Sequence, residues 1–192
     1  MKKRNICLIL ALALVMLMLL GCAKEYSMGT RSETGYKSSW MNLEFTLPEG
    51  MEMSPDSELF ALMGVASQDQ INPETQESIF EMLAINSENS NNISLLVQKM
   101  SKKYSEKQYY EAMQKQLKED SFGVYKFGEL TQTTLAKESF YTADTSVIMN
   151  GTTYLETFLF KIKGDRMIVI TITYDTDAAK TQMLNAFSEY KE

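Results

Sequence analysis

Asp144 and Glu156 are the two carboxylates whose spacing could do chemistry together, because an Asn150-Gly151 turn lies between them. Counting outward from a two-residue hairpin loop pairs Asp144 with Thr157 and Thr145 with Glu156, which makes the two acids diagonal neighbours. Two carboxyl groups about 5 to 9.5 Å apart are what a glycosidase needs, and that chemistry requires no histidine. The chain contains no histidine at all. This absence excludes Ser-His-Asp and Cys-His nucleophile arrangements and every histidine-containing zinc site. A solvated strand edge explains Asp144 and Glu156 better than a catalytic pair, so no residue is assigned a catalytic role. Asp165, Asp175 and Asp177 carry hard oxygens suited to calcium. However, Asp165 fits a hairpin turn, the other two fit a helix N-terminus, and no Asp-x-Asp-x-Asp-Gly loop is present. Met51, Met53, Met63 and Met82 could ligate cuprous copper, but methionine is also an ordinary core gap-filler. Neither a metal nor a cofactor is expected. Lys102, Lys103, Tyr104 and the Tyr109-Tyr110 pair fit a helix lying between sheet and solvent. Trp40, the lone tryptophan, is expected to pack against the first strand.

Cys22 is a different kind of reactive residue, because its position in the chain matters more than its neighbours in space. Lys2, Lys3 and Arg4 precede an apolar run from Ile6 to Leu20, followed by Gly21 and Cys22. A basic segment, an apolar stretch and a small residue before the break describe a secretory signal. Fifteen helical residues span only about 22 Å against a hydrocarbon core of about 30 Å, which disfavours a transmembrane anchor. Leu19-Leu20-Gly21-Cys22 resembles the lipobox of bacterial lipoproteins. The resemblance implies that residues 1–21 are a removable signal peptide and that the Cys22 thiol receives a diacylglycerol. Two acyl chains suffice for stable anchoring.

Of the 192 residues, 19 are basic and 25 acidic. Lys2, Lys3 and Arg4 are the only charged residues of the signal, so its removal leaves 16 basic against 25 acidic residues, a balance of −9. Such a domain is not expected to seek nucleic acid or anionic headgroups. Cys7 leaves with the signal and Cys22 is consumed by lipid, so no disulfide is expected and core packing must hold the fold. Residues 22–40 are polar without a sustained apolar period and read as a lipidated N-terminus and flexible tether, with a reach of about 20 to 25 Å. Residues 41–192 suit one globular domain.

Within that domain Leu43, Phe45 and Leu47 alternate as a strand before Pro48-Glu49-Gly50. Ser54 before Pro55 reads as an N-cap with proline at the first helical position, opening a helix to about residue 66. Strands are expected over 79–85 and 93–100, and Ser105 with Gln108 forms a capping box opening a helix to about Glu119. Tyr125 to Leu130 reads as a short strand. Strands over 141–149, 152–163 and 166–174 follow, joined by Asn150-Gly151 and Gly164-Asp165. Met183, Leu184, Phe187 and Tyr190 then make one stripe of a terminal helix over 177–190. In the last two strands both side-chain parities are apolar, so the sheet needs cover on both faces. The fold class is therefore α+β, a three-layer α/β/α sandwich around a mainly antiparallel sheet, with a C-terminal three-stranded meander and a terminal helix.

The segment from Trp40 to Tyr190 resembles the PsbP-like α/β/α sandwich family. The resemblance rests on Phe45-Thr46-Leu47-Pro48-Glu49-Gly50 after an aromatic, the Ser105 helix, the meander with Gly164-Asp165, and the terminal helix. It implies a protein-binding or accessory module more often than an enzyme. The expected role is a lipid-anchored, non-catalytic binding or accessory module on the extracytoplasmic face of the cell membrane. Its partners would be the membrane, through the lipid on Cys22, and an envelope protein. The alternatives are a histidine-free cell-wall glycan hydrolase and a small-ligand-binding lipoprotein.

Overall fold

The computed structural model describes residues 25–119 and 123–192. Cys22 and the expected signal peptide lie outside the described residues. The elements run β1 (Thr30–Ser32), β2 (Gly35–Ser38), β3 (Leu43–Thr46), β4 (Glu52–Met53), α1 (Asp56–Met63), β5 (Ser78–Ile85), β6 (Asn92–Lys99) and α2 (Glu106–Glu119). They continue with β7 (Val124–Phe127), β8 (Thr131–Leu135), β9 (Glu138–Met149), β10 (Thr152–Lys163), β11 (Arg166–Tyr174), α3 (Asp177–Asn185) and β12 (Phe187–Glu189). The protein is α+β, as its sequence indicates.

The large sheet is antiparallel in the order β4-β5-β6-β11-β10-β9-β7, with β8 pairing β9 beyond β7. Its centre is the expected meander. Asn150 and Gly151 both adopt positive φ, at 51° and 81°, so a tight turn sets the β9–β10 register that pairs Thr157 with Asp144 and Glu156 with Thr145.

Because side chains alternate along a strand, β10 and β11 present two apolar sets. Phe158 and Phe160 of β10, with Met167 and Val169 of β11, form a cluster against Tyr110 of α2. Leu159, Ile168, Ile170 and Ile172 face the other way and join the larger core. The Ser105–Gln108 capping box starts α2: the Gln108 side chain accepts from Ser105 N at 2.9 Å, and Gln108 N donates to Ser105 Oγ at 3.3 Å.

The second face is covered by α3 together with a sheet the sequence does not announce. Strands β1-β2-β3-β12 form a small antiparallel sheet whose Tyr36, Leu43, Phe45 and Phe187 enter the larger core beside Met183 of α3. Two sequence expectations change here. Residues 25–40 are not a flexible tether, because β1 and β2 pair in it and Tyr36 and Trp40 are buried. The terminal helix stops at Asn185 rather than Tyr190. Phe187 to Glu189 instead supply hydrogen bonds to the open edge of β3, and the Phe187 ring sits 5.0 Å from Phe45.

The first helix is also shorter than expected, ending where Gly64 turns left-handed at φ 68°. Ser54 does not cap it: its backbone N–H donates to Leu83 O at 2.9 Å, extending the sheet edge, and its hydroxyl has no partner among the described residues. The helix on the α2 side is fastened by aromatic contacts, with Tyr109 and Tyr110 at 5.8 and 5.6 Å from the fully buried Phe160 ring. Phe160→Ala is expected to lower unfolding free energy by about 3–5 kcal/mol, measured by urea denaturation.

Candidate functional site

Strand β5 reads Ser-Ile-Phe-Glu-Met-Leu-Ala-Ile, an apolar run interrupted by one acid. The β5–β6 register shifts at that acid, passing from Phe80 opposite Leu96 to Met82 opposite Leu95, so Glu81 is the extra residue of a β-bulge. Glu81 is 2% exposed. A carboxyl group so placed must find donors or carry a penalty of several kcal/mol. Among the described residues, its donors all come from the segment that precedes β3. Tyr26 donates its hydroxyl to Glu81 Oε1 at 2.7 Å, Gly29 N donates to Oε2 at 2.6 Å, and the Tyr36 hydroxyl also donates to Oε2.

Burial pushes the Glu81 carboxyl above the usual carboxylate range, and the donors and the Arg166 charge only partly oppose it. Burial likewise drives the Tyr26 and Tyr36 phenols up, with the Glu81 charge adding to the effect, so both hydroxyls remain donors.

Arg166, at the start of β11, completes the cluster. Its guanidinium carbon lies 4.0 Å from the Tyr26 ring centroid, and its Nη2 donates to Pro73 O. Its Nε and Nη1 are buried without a hydrogen-bond partner among the described residues. Trp40 meets Tyr26 edge to face at 4.9 Å, with Lys163 Nζ 5.7 Å above the Trp40 ring. These residues border a cleft of about 540 Å3 that Lys99, Glu74 and Asp165 also line. The arrangement holds no activated nucleophile. Among the described residues, the hydrogen bonds of Glu81 go to Tyr26, Gly29 and Tyr36, so the cluster is a clamp on the N-terminal segment.

The residues singled out in the sequence fall elsewhere. Asp144 and Glu156 do not form a pair. The register is the expected one, but alternation along the strands sends them to opposite faces of the sheet. Asp144 accepts from Thr157 Oγ1 and Lys180 Nζ, each at 2.6 Å. Burial alone would raise its pKa, and these two bonds outweigh that and lower it. Glu156 lies on the α2 side of the sheet, in a polar groove with Asn92 and Thr173, and burial pushes its pKa up.

Asp175 is tied to Asn91 through two hydrogen bonds, and Thr176 rather than an aspartate caps α3, accepting from Ala179 N at 3.2 Å. Among the described residues, no three acids, cysteines or histidines converge as a metal site. Met82 is buried in the core, with Met51 and Met53 packed against it. Tyr109 and Tyr110 bond Gln98 and the Gly128 carbonyl, at 2.6 and 2.8 Å. Trp40 packs inside the fold, at 2% exposed. Two signals could have revealed the clamp: three aromatics, Tyr26, Tyr36 and Trp40, within a polar stretch, and a lone acid inside an apolar strand.

The chain aligns structurally with cyanobacterial PsbP from Synechocystis at TM-score 0.51 and 9% identity, over 87% of this chain and 99% of that one. The fold is PsbP-like. The structure search also finds LpqN of Mycobacterium tuberculosis, a protein involved in cell envelope biogenesis, at TM-score 0.41 and 10% identity over 78% of this chain and 83% of that one. A third match is the Ran-binding protein Mog1p of Saccharomyces cerevisiae, at 0.43 and 13% over 83% and 96%. No family model matches the sequence, and no curated protein matches it. In this chain the N-terminal clamp is formed by Glu81 and its donors Tyr26, Gly29 and Tyr36.

Glu81→Ala leaves two phenols and one N–H without their acceptor and is expected to lower stability by at least about 2 kcal/mol. Because the folded-state pKa of Glu81 is raised, there is a pH window between the ordinary carboxylate pKa and the folded value in which the native protein binds a proton more tightly than the unfolded chain. The stability Glu81 contributes is therefore fully present below the ordinary carboxylate pKa and declines as pH rises through the folded value. Urea denaturation followed by Trp40 fluorescence should show the gap between wild type and Glu81→Ala narrowing as pH rises.

Proposed function

We propose that this protein is a lipid-anchored, extracytoplasmic, non-catalytic binding or accessory module of the bacterial cell envelope, with Cys22 as the lipid-bearing residue. The single observation that carries the reading is the position of the clamp. Tyr26 and Gly29 are already fixed to buried Glu81, and Tyr26 is only four residues beyond Cys22. Four extended residues reach about 14 Å, compared with the 20 to 25 Å of a seventeen-residue coil. A folded body attached this closely to its lipid is held against the headgroups and cannot roam.

The clamp also sets orientation. Tyr26 lies beside Lys99, Lys163, Gly164 and Arg166, at the end of the large sheet where β6 finishes and β11 begins. That end faces the membrane in this reading, and the β5–β6 and β9–β10 turns face away from it. Among the described residues, no helix is long and apolar enough to cross a membrane. The PsbP-like fold supports a binding or accessory role by analogy only. The separation of Asp144 from Glu156 removes the carboxylate pair on which a glycan hydrolase would have rested.

Metabolic labelling with an alkynyl fatty acid, in cells making either wild type or Cys22→Ala, tests the anchor. Label and membrane association are expected in the wild type, and both should be lost in the variant. An unlabelled wild-type protein would overturn the reading. Cross-linking in the same intact cells is expected to capture an envelope protein with the wild type and to lose it with Cys22→Ala.

A further inference from the structure

The face of the large sheet under α2 changes character abruptly along its length. On β10, one face presents Ile162, Phe160 and Phe158 and then Glu156 and Tyr154. On β11 the same face passes from Met167 and Val169 to Thr171 and Thr173, and on β6 from Leu96 to Ser94 and Asn92. The apolar half is covered by α2 through Tyr109, Tyr110 and Met113. The polar half lies beyond the helix and forms a groove of about 600 Å3, walled by the β5–β6 turn at Asn86 and floored by Tyr154, Glu156, Thr171 and Thr173. That volume is within the range of small-molecule sites.

The register sets three lining residues in one cross-strand row: Glu156 pairs with Thr173, and Thr173 with Asn92. Glu156 has unspent hydrogen-bonding capacity, because it makes no hydrogen bond or ion pair among the described residues, although burial disfavours its charged form. A half-buried carboxyl in a groove, left without a protein partner, is free to accept from a ligand.

No lysine or arginine lines the groove, which argues against phosphate or carboxylate ligands. Besides Ile85 and Met149, the lining is one carboxyl, hydroxyls, amides and one tyrosine. The hydroxyl and amide groups both donate and accept, the carboxylate accepts two or more hydroxyl donors, and the Tyr154 ring offers an amphipathic surface. We infer that this groove binds a short neutral saccharide, with Glu156 and the threonines bonding its hydroxyls and Tyr154 against its ring.

The groove lies at the opposite end of β11 from Arg166. Seven residues separate Arg166 from Thr173, about 23 Å along the strand. That the site points away from the membrane rests on the anchored reading; the binding chemistry does not.

The test uses the full chain in a sugar-free detergent, titrated by calorimetry with maltose, cellobiose and N,N′-diacetylchitobiose. Saturable binding of at least one of the three is expected. It should weaken at least tenfold in Tyr154→Ala and at least fivefold in Glu156→Gln, and remain within twofold in Asp144→Asn, whose side chain lies on the other face. Unchanged urea midpoints show that the variants are folded. Cys22→Ala should bind as the wild type does, so failure of the lipid anchor leaves this result standing. Binding of none of the three, equal binding by Tyr154→Ala and Glu156→Gln, or binding of the cationic probe spermidine in place of the sugars would each overturn the inference.

Discussion

A carboxyl group inserted by a bulge into an apolar interior must be surrounded by donors, and at Glu81 those donors come from a distant part of the chain. Tyr26, Gly29 and Tyr36 are 55, 52 and 45 residues away in sequence. The bulge therefore does more than bend β5. It recruits the N-terminal segment into the fold, and the small sheet follows, because β1 and β2 begin one residue and six residues beyond Gly29. Once β2 is in place, Tyr36 and Phe45 can close the face of the large sheet that α2 does not reach. The cost of burying an acid is offset by an ordered N-terminus.

The large sheet imposes the second constraint. Its central strands are apolar on both faces, so neither can be left to water. Nature's cover is asymmetric here: one amphipathic helix on one side, a four-stranded sheet and a short helix on the other. The helix covers only the apolar half of its face. Where the strand residues turn polar, cover ends and a groove begins, so the same alternation that fixes the core also delimits the open surface.

Much of this was legible in the sequence, for identifiable reasons. The Ser105–Gln108 box, the Asn150-Gly151 and Gly164-Asp165 turns and the long alternating strands act locally, and each fixes its element without help from the rest of the chain. Of the small sheet only β3 was legible, in the alternation of Leu43, Phe45 and Leu47. The strands β1, β2 and β12 are three or four residues long and show no period, and only pairing with their neighbours makes them strands. Phe187 to Glu189 continued a helical stripe convincingly, but the open edge of β3 was the stronger partner. For Asp144 and Glu156 the register was readable and correct. It was the two-residue period of side-chain direction that separated them.

The buried Glu81 carboxyl fixes the chain from Tyr26 onward. Amide hydrogen exchange of the full chain, read at Gly29 and across residues 35–38, tests this. The Gly29 N–H, bonded to Glu81 Oε2 at 2.6 Å, is expected to exchange as slowly as the amides of β2. Exchange at Gly29 at the rate of an unstructured peptide, with β2 still protected, would show that the clamp does not exist in solution and that the domain begins later in the chain.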